Sequence, residues 1–171
     1  MNRIKIICIY LTILTLTACT SQSKIDINCY IDKINYSEIA EYNINDFCVA
    51  EINDEFVYKC VKNNILTSLY CGSDGIINQI VITSQKRNDY FDKLCTESIK
   101  ALTYCSQPKK IYDKAVKSGK SVYSEYQITF IDYDIGKTVI INKANAEINT
   151  NANPTLKGYI DEKNISRPAL E

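Results

Sequence analysis

The pattern of apolar and polar positions is clearest in the centre of the chain, where turn residues separate three short apolar segments. Residues 55–62, 65–71 and 76–83 are rich in β-branched and aromatic side chains. Between them lie Asn63-Asn64 and the Gly-Ser-Asp-Gly sequence of residues 72–75. Asn and Gly tolerate the positive φ that hairpin turns require. The pattern therefore predicts a three-strand antiparallel meander.

A two-residue turn between the first two of these strands would fix their register. It places Cys60 opposite Thr67 and Phe56 opposite Cys71, with all four side chains on one face of the sheet. Cys60 and Cys71 then share a face but lie too far apart along the ladder to bond each other, since the Cα atoms of a disulfide lie within about 7 Å. Any disulfide partner of either residue must come from another element.

Residues 88–104 follow a helical pattern, with Asn88 or Asp89 as the capping residue. Apolar and small side chains at three- and four-residue spacing share one stripe: Phe91, Leu94, Cys95, Ser98, Ile99 and Leu102. We expect this helix to lie on the meander and Cys95 to pair with Cys60 or Cys71, with a slight preference for Cys71. Pro108 is expected to stop helical structure soon after Cys105.

A β-hairpin is predicted further along the chain. Residues 122–132 alternate between apolar and polar, residues 137–143 return as a second strand, and residues 133–136 form the turn. Gly136 is suited to a left-handed position in that turn.

The outward face of this hairpin carries candidate binding residues: Tyr123, Ile131 and Tyr133. Tyrosine is a contact residue that loses little entropy when it is ordered at an interface. The alternative is that these residues are partly exposed aromatics or lie under another element.

The other segments have weaker patterns. Residues 25–31 favour a first strand, residues 36–42 a helix, and residues 46–52 either a short helix or a loop. Residues 144–171 are polar and rich in Asn, so we expect a flexible tail that is dispensable for folding. Residues 25–143 are thus predicted to form one α+β domain, with an antiparallel meander, a C-terminal hairpin and at least one packed helix.

The N-terminus has the three parts of a secretory signal. Arg3 and Lys5 supply positive charge, residues 6–16 are almost entirely apolar, and small residues precede Cys19. The apolar stretch is well short of the roughly 20 residues that a membrane-spanning helix needs. We therefore predict a signal peptide over residues 1–18 and a short polar tether over residues 19–24.

The Leu16-Thr17-Ala18-Cys19 sequence resembles the lipobox of bacterial lipoproteins. The resemblance implies that Cys19 is acylated, for example with palmitate, and becomes the first residue of the mature chain. Two or more acyl chains anchor a protein stably. Thr20 is not the Asp associated with retention at the inner membrane, so the resemblance implies an outer-membrane lipoprotein that faces the periplasm or the cell surface. The alternative is an ordinary signal peptide with an incidental Cys.

Six further cysteines follow Cys19: Cys29, Cys48, Cys60, Cys71, Cys95 and Cys105. In an exported chain an even number of cysteines predicts a disulfide framework. The close Cys-x-x-Cys pairs typical of a zinc site do not occur. We therefore predict a disulfide-stapled domain without a metal.

Composition excludes several classes of function. The sequence contains no His, so His-based catalytic triads and His-ligated metal sites are excluded. Twenty basic and 20 acidic residues give zero net charge, which argues against a nucleic-acid partner. The Gly119-Lys120-Ser121 sequence lacks the first glycine of a phosphate-binding loop, and Asp132, Asp134 and Gly136 lack the other ligands of a calcium loop.

These observations predict no catalytic residues and no cofactor. We expect a membrane-anchored envelope lipoprotein that acts as a non-enzymatic protein-binding module, such as an inhibitor, an immunity protein or an accessory of an envelope assembly. Its partners would be the membrane, through the lipid, and an unknown envelope or host protein. The alternative is a lipid-anchored envelope hydrolase that uses a pair of carboxylates.

Overall fold

The structure is a computed structural model that describes residues 24–52 and 55–144 of the 171-residue chain. Its helices are α1 (Ile27–Tyr36), α2 (Asp89–Thr103) and α3 (Pro108–Ser118), with a 3₁₀ turn at Ile44–Asp46. Its strands are β1 (Cys48–Ile52), β2 (Glu55–Lys62), β3 (Ile65–Cys71), β4 (Ile77–Ser84), β5 (Lys120–Tyr123), β6 (Tyr126–Tyr133) and β7 (Gly136–Lys143). The predicted signal peptide, Cys19 and residues 145–171 lie outside the described residues, so the predictions made for them stay predictions.

The seven strands form one antiparallel sheet in the order β1-β2-β3-β4-β7-β6-β5. The predicted meander is confirmed, and so is its register, with Cys60 opposite Thr67 and Phe56 opposite Cys71. Both residues of the predicted turn, Asn63 and Asn64, have positive φ. The C-terminal hairpin joins the meander through pairing of β4 with β7, which completes a single α+β fold.

The three helices pack on one face of the sheet and share its main apolar core. Helix α2 lies in the middle and contacts both α1 and α3. Asn88 caps it as predicted, accepting a hydrogen bond from the Phe91 backbone N–H at 2.8 Å. The whole predicted stripe is buried: Phe91, Leu94, Cys95, Ser98, Ile99 and Leu102.

The predicted strand at residues 25–31 is wrong, because these residues begin helix α1. The Asp26 side chain caps the helix by accepting from the Cys29 backbone N–H at 2.8 Å. The buried side chains fall at helical spacing: Ile27, Tyr30, Ile31 and Ile34. An apolar run of this length is ambiguous between strand and helix, and here the helical pattern continues to Tyr36.

The helix predicted at residues 36–42 is also wrong, since α1 ends at Tyr36. The Asn35 amide holds the following loop, donating to the Tyr42 carbonyl at 2.8 Å and accepting from the Tyr42 N–H at 2.7 Å. For residues 46–52 the sequence pattern did not distinguish a short helix from a loop. These residues contain the end of the 3₁₀ turn and strand β1.

Pro108 does not stop helical structure; it begins helix α3, which the sequence analysis did not predict. Helix α2 has already ended at Thr103, with Tyr104 as its C-cap. Proline is favoured in the first helical turn, since its missing N–H would lack a partner there and its φ is already helical.

The predicted strand at residues 122–132 is in fact two strands, because a turn at Ser124 and Glu125 divides it into β5 and β6. The hairpin of β6 and β7 is confirmed. Gly136 is not left-handed as predicted. A Cβ atom there would lie 2.8 Å from the Ser84 carbonyl oxygen, so glycine permits a close backbone approach.

The disulfide staple is not borne out: all six cysteines in the described residues are free thiols. Cys95 faces the core, as predicted, but behaves as a small buried apolar side chain rather than as half of a bridge. Burial raises the pKa of Cys71 to about 12 and the pKa of Cys95 well above its ordinary value. Because the thiolate is the reactive form, burial protects both groups from oxidation.

Candidate functional site

A candidate site lies between α1 and the C-terminal end of α2, and we call it the α1–α2 groove. Its volume is about 820 Å³. Its lining includes two tyrosines, four charged residues and two cysteines: Tyr36, Tyr104, Asp32, Lys33, Glu97, Lys100, Cys29 and Cys105. Ligand-binding clefts commonly measure roughly 300–1,000 Å³, so the groove is large enough for a peptide segment or a side-chain cluster of a partner.

Helix α1 forms one wall of the groove, and its buried side holds it in place against α2. Tyr30 is fully buried, and its hydroxyl lies 2.9 Å from the hydroxyl of Ser98 on α2. Burial, more than any other effect, raises the pKa of Tyr30, so the phenol keeps its proton for this hydrogen bond. The contact ties α1 to α2 and leaves Lys33 and Tyr36 on the groove side.

The other wall is the C-terminal end of α2, where Tyr104 is the capping residue. Its backbone is left-handed, with φ 54° and ψ 23°. Its N–H donates to the Lys100 carbonyl at 2.9 Å. A residue with a Cβ pays roughly 1–2 kcal/mol for this conformation, which glycine adopts freely. Such strain clusters at functional sites.

Lys33 fixes the ring of Tyr104 at the edge of the groove. Its ammonium lies 3.6 Å from the ring centroid and 3.5 Å from the Ala101 carbonyl oxygen. Even so, Tyr104 remains 52% exposed, and Tyr36 on the opposite wall is 92% exposed. The groove therefore presents two tyrosine rings to solvent, one of them held in place by a cation–π contact.

The charges in the groove are mixed in sign. Glu97 pairs with Lys100 at 3.4 Å within α2, while Asp32 and Lys33 are neighbours on α1. A balanced set of this kind suits polar contacts with a protein surface better than it suits a concentrated phosphate charge. Asp32 and Glu97 both line the groove, so the carboxylate-pair alternative stays a prediction.

The opposite side of α2 is closed by a polar network with α3. Arg87 donates to both carboxylate oxygens of Asp92, with the shortest contacts at 2.8 Å. The Tyr112 hydroxyl donates to the same carboxylate at 2.7 Å. Burial alone would raise the pKa of Asp92, but these hydrogen bonds outweigh it and hold the pKa below its ordinary value.

The guanidinium of Arg87 also lies over two rings, 5.7 Å from the centroid of Tyr112 and 5.8 Å from that of Phe130. The neighbouring cavity, next to Asp92 and Tyr112, measures only about 230 Å³. This network connects α2, α3 and the sheet, so we assign it a structural role.

The candidate binding residues of the hairpin do not share one surface. Tyr123 pairs with Tyr126 and lies on the helix-covered face, whereas Ile131 and Tyr133 lie on the opposite face. The cause is the turn at Ser124 and Glu125, which interrupts the alternation. A binding role for these residues stays a prediction.

The groove residues Lys33, Tyr36 and Tyr104 were not predicted from the sequence. The missed signal is the helical spacing of the apolar residues from Ile27 to Ile34, which places Lys33 and Tyr36 beside the buried stripe of α1. No sequence pattern indicated that Tyr104 would meet Lys33, because the contact joins residues 71 positions apart.

The described residues add two further findings. No group of three or more acidic or cysteine side chains within them is arranged to hold a metal ion. None of their helices combines the length and the apolar character that crossing a membrane requires.

Comparisons of the chain with protein-family models, with curated proteins and with solved structures each yield no match.

Proposed function

We propose that this protein is a membrane-anchored envelope lipoprotein whose folded domain is a non-enzymatic protein-binding module, acting as an inhibitor, an immunity protein or an accessory of an envelope assembly. The α1–α2 groove is its binding surface, and an envelope or host protein is its partner. The observation that carries the proposal is Tyr104, a strained and half-exposed aromatic residue that Lys33 holds at the groove edge.

The arrangement of Tyr104 suits protein recognition. An aromatic ring that is already ordered loses little entropy on binding, and tyrosine is enriched at the centres of protein interfaces. Tyr36 faces the same groove and is almost completely exposed, so a partner could cover both rings at once. The mixed charges around them would supply the polar rim of such an interface.

The proposed anchor keeps this surface close to the membrane. Acylated Cys19 would precede the first residue of α1, Ile27, by a segment that spans no more than about 30 Å when fully extended. Cys29 on the wall of the groove lies within the first turn of the same helix. The partner is therefore expected to be a protein at or near the membrane surface.

The anchor is tested by the Cys19→Ser variant of the full chain. We expect an unprocessed and unlipidated precursor, with no mature protein attached to membranes. Cys48→Ser, which changes an exposed cysteine within the domain, is the matched control and should be processed normally. Normal processing and membrane attachment of the Cys19→Ser protein would show that the lipobox interpretation is wrong.

The binding surface is tested by placing a photo-crosslinking amino acid at Tyr104 in the full chain, in its native cells. We expect a crosslink to a distinct envelope or host protein, which Lys33→Ala should weaken several-fold because the aromatic side chain loses its support. The matched control is Val49, which is 56% exposed on the edge strand β1 and does not line the groove. Equal crosslinking from both positions, or none from Tyr104, contradicts the proposal.

A further inference from the structure

Helix α3 carries a row of lysines on its outer side. Lys110, Lys114 and Lys117 follow one another at four- and three-residue spacing, and Lys120 comes directly after the Gly119 that caps the helix. All four residues are exposed. Side chains at this spacing share one face of a helix. We call these four residues the α3 lysine stripe.

The stripe points away from the domain. At 100° per residue, Lys110, Lys114 and Lys117 lie within an arc of about 60° around the helix axis. The buried residues of α3, Tyr112 and Ala115, lie on the opposite side of that axis. The helix therefore packs through one face and presents the lysines on the other.

The stripe is a local concentration of positive charge on a neutral chain. The whole sequence has 20 basic and 20 acidic residues, but residues 108–120 contain five lysines and one aspartate. That aspartate, Asp113, pairs with Lys109 at 2.9 Å. Within residues 24–52 and 55–144, no ion pair engages any member of the stripe.

The stability of the helix does not explain this arrangement. The first turn of α3 contains Lys109 and Lys110 and no acid, although a helix N-terminus favours negative charge. Helix α2 follows the usual preference, with Asp89 and Asp92 in its first turn. Lys110 and Lys114 also repel each other, because like charges four residues apart destabilise a helix. The stripe therefore suits an anionic partner outside the domain.

A membrane surface is the anionic partner that agrees best with the rest of the chain. The proposed anchor at Cys19 would hold the domain within about 30 Å of the bilayer, since the segment up to Ile27 is short. A patch of basic residues is a common second signal beside an acyl chain, because lysines near an anionic bilayer are attracted to its headgroups. Zero net charge argues against a nucleic acid.

We propose that the α3 lysine stripe binds anionic lipid headgroups and orients the anchored domain with α3 against the membrane. This inference rests on the lipid anchor of the proposed function. It assigns the membrane contact to α3, whereas the proposed protein-binding groove is formed by α1 and α2. The two surfaces therefore use different helices.

The direct test is sedimentation of the chain from residue 20 to residue 171, which has no acyl chain, with lipid vesicles at low salt. We expect binding to vesicles of 60% phosphatidylcholine and 40% phosphatidylglycerol, and none to vesicles of phosphatidylcholine alone. Lys110→Gln with Lys114→Gln should weaken binding about 30-fold, from roughly five-fold per lysine. Raising the salt concentration should weaken it as well.

The matched control is Lys24→Gln with Lys86→Gln, which removes the same charge at two exposed positions outside α3. Its binding should stay within about two-fold of the unmodified chain. Circular dichroism of both double variants checks that they are folded.

Three results would overturn the inference. Equal weakening by the two double variants would mean that net charge, and not the stripe, determines binding. No binding to the phosphatidylglycerol vesicles would exclude a membrane contact. Binding to an acidic peptide such as polyglutamate but not to vesicles would assign the stripe to a protein partner. None of these results bears on the anchor, because this chain lacks Cys19, and the Cys19→Ser experiment decides the anchor separately.

A second measurement tests the orientation in the anchored protein. An amine-reactive reagent is applied to the full-length mature protein in native membranes and after release in detergent. Labelling of Lys114 should be several-fold slower in membranes than in detergent, while labelling of Lys86 should be the same in both. Equal rates at Lys114 in the two conditions would contradict the proposed orientation.

Discussion

The two sides of helix α2 differ in how they meet their neighbours. On the side of α3, one carboxylate, Asp92, receives hydrogen bonds from both Arg87 and Tyr112, and the remaining cavity measures about 230 Å³. On the side of α1, one buried hydrogen bond joins Tyr30 to Ser98, and a groove of about 820 Å³ stays open.

The difference agrees with the proposal that helix α2 serves stability on one side and recognition on the other. The closed side uses its aromatic residue, Tyr112, as a buried hydrogen-bond donor at 1% exposure. The open side leaves Tyr36 and Tyr104 exposed to solvent. The polar interactions that hold α2 in place are concentrated on the side away from the groove, which leaves the proposed binding surface accessible.

The largest expected effect compares one tyrosine from each side. Tyr112→Ala should lower the free energy of unfolding by about 3–5 kcal/mol, since it removes a buried ring and leaves Asp92 with fewer partners. Tyr36→Ala should change it by less than about 0.5 kcal/mol, because the side chain is 92% exposed. Chemical denaturation of residues 20–171 measures both, and similar losses would show that the two sides do not differ.

The next effect concerns the single buried hydrogen bond on the open side. Tyr30→Phe should cost about 1–2 kcal/mol, because the Ser98 hydroxyl is left buried without its partner. Adding Ser98→Ala should recover part of that loss, and a double-mutant cycle measures the coupling. Tyr36→Phe is the control, and additive losses at Tyr30 and Ser98 would exclude the hydrogen bond as the connection.

A smaller and pH-dependent effect is expected on the closed side. Asp92→Asn should cost about 1 kcal/mol at pH 7, a modest value because Asp92 and Arg87 are each about one-third exposed and solvent screens the pair. The folded-state pKa of Asp92 is lowered, so this stabilisation is complete above the ordinary carboxyl range near pH 4 and is lost as the pH falls through the folded-state pKa.

Unfolding curves of the two proteins should therefore converge at acidic pH. Lys24→Met is the control, because it removes an exposed ion pair, with Asp74, and leaves in place the groups that lower the pKa of Asp92. A difference that stays constant between pH 7 and pH 2 would contradict a role for the ionised carboxylate.

The last prediction has the smallest expected effect on the free energy of unfolding. It tests whether the cysteines are free thiols. In the native protein, the exposed Cys48 and the groove residue Cys29 should react with a maleimide within minutes, while Cys95 under α2 should react only on unfolding. Cys48→Ser should leave the free energy of unfolding within about 0.5 kcal/mol. If no thiol reacts even in denaturant without reductant, disulfides are present and the free-thiol arrangement is wrong.

The sheet was the most predictable part of the fold, because its signals are local. Alternation and the Asn63-Asn64 turn were sufficient to predict the β2–β3 register, since a hairpin places residues near in sequence opposite one another. The buried stripe of α2 was equally clear, because Asn88 and the apolar spacing agree. The pairing of β4 with β7 could not be predicted in this way, because it joins strands more than fifty residues apart.

The groove was harder to predict, because the sequence patterns of the helices around it are ambiguous. Helix α1 was mistaken for a strand because a short apolar run fits both periods, and α3 was missed because Pro108 can end one helix or begin another. Tyr104 and Lys33 are ordinary residues in sequence and become a site only where α1 meets the end of α2.

The sequence by itself determined the meander and its register, the caps and buried stripe of α2, and the prediction of a lipid anchor at Cys19. Each of these depends on residues within about twenty positions of one another, where spacing and turn chemistry act directly. Only the tertiary structure decided that the cysteines pack as thiols and that α1 and α2 enclose a groove. Those features depend on which distant surfaces meet, and that is set by the packing of the whole chain rather than by any local pattern.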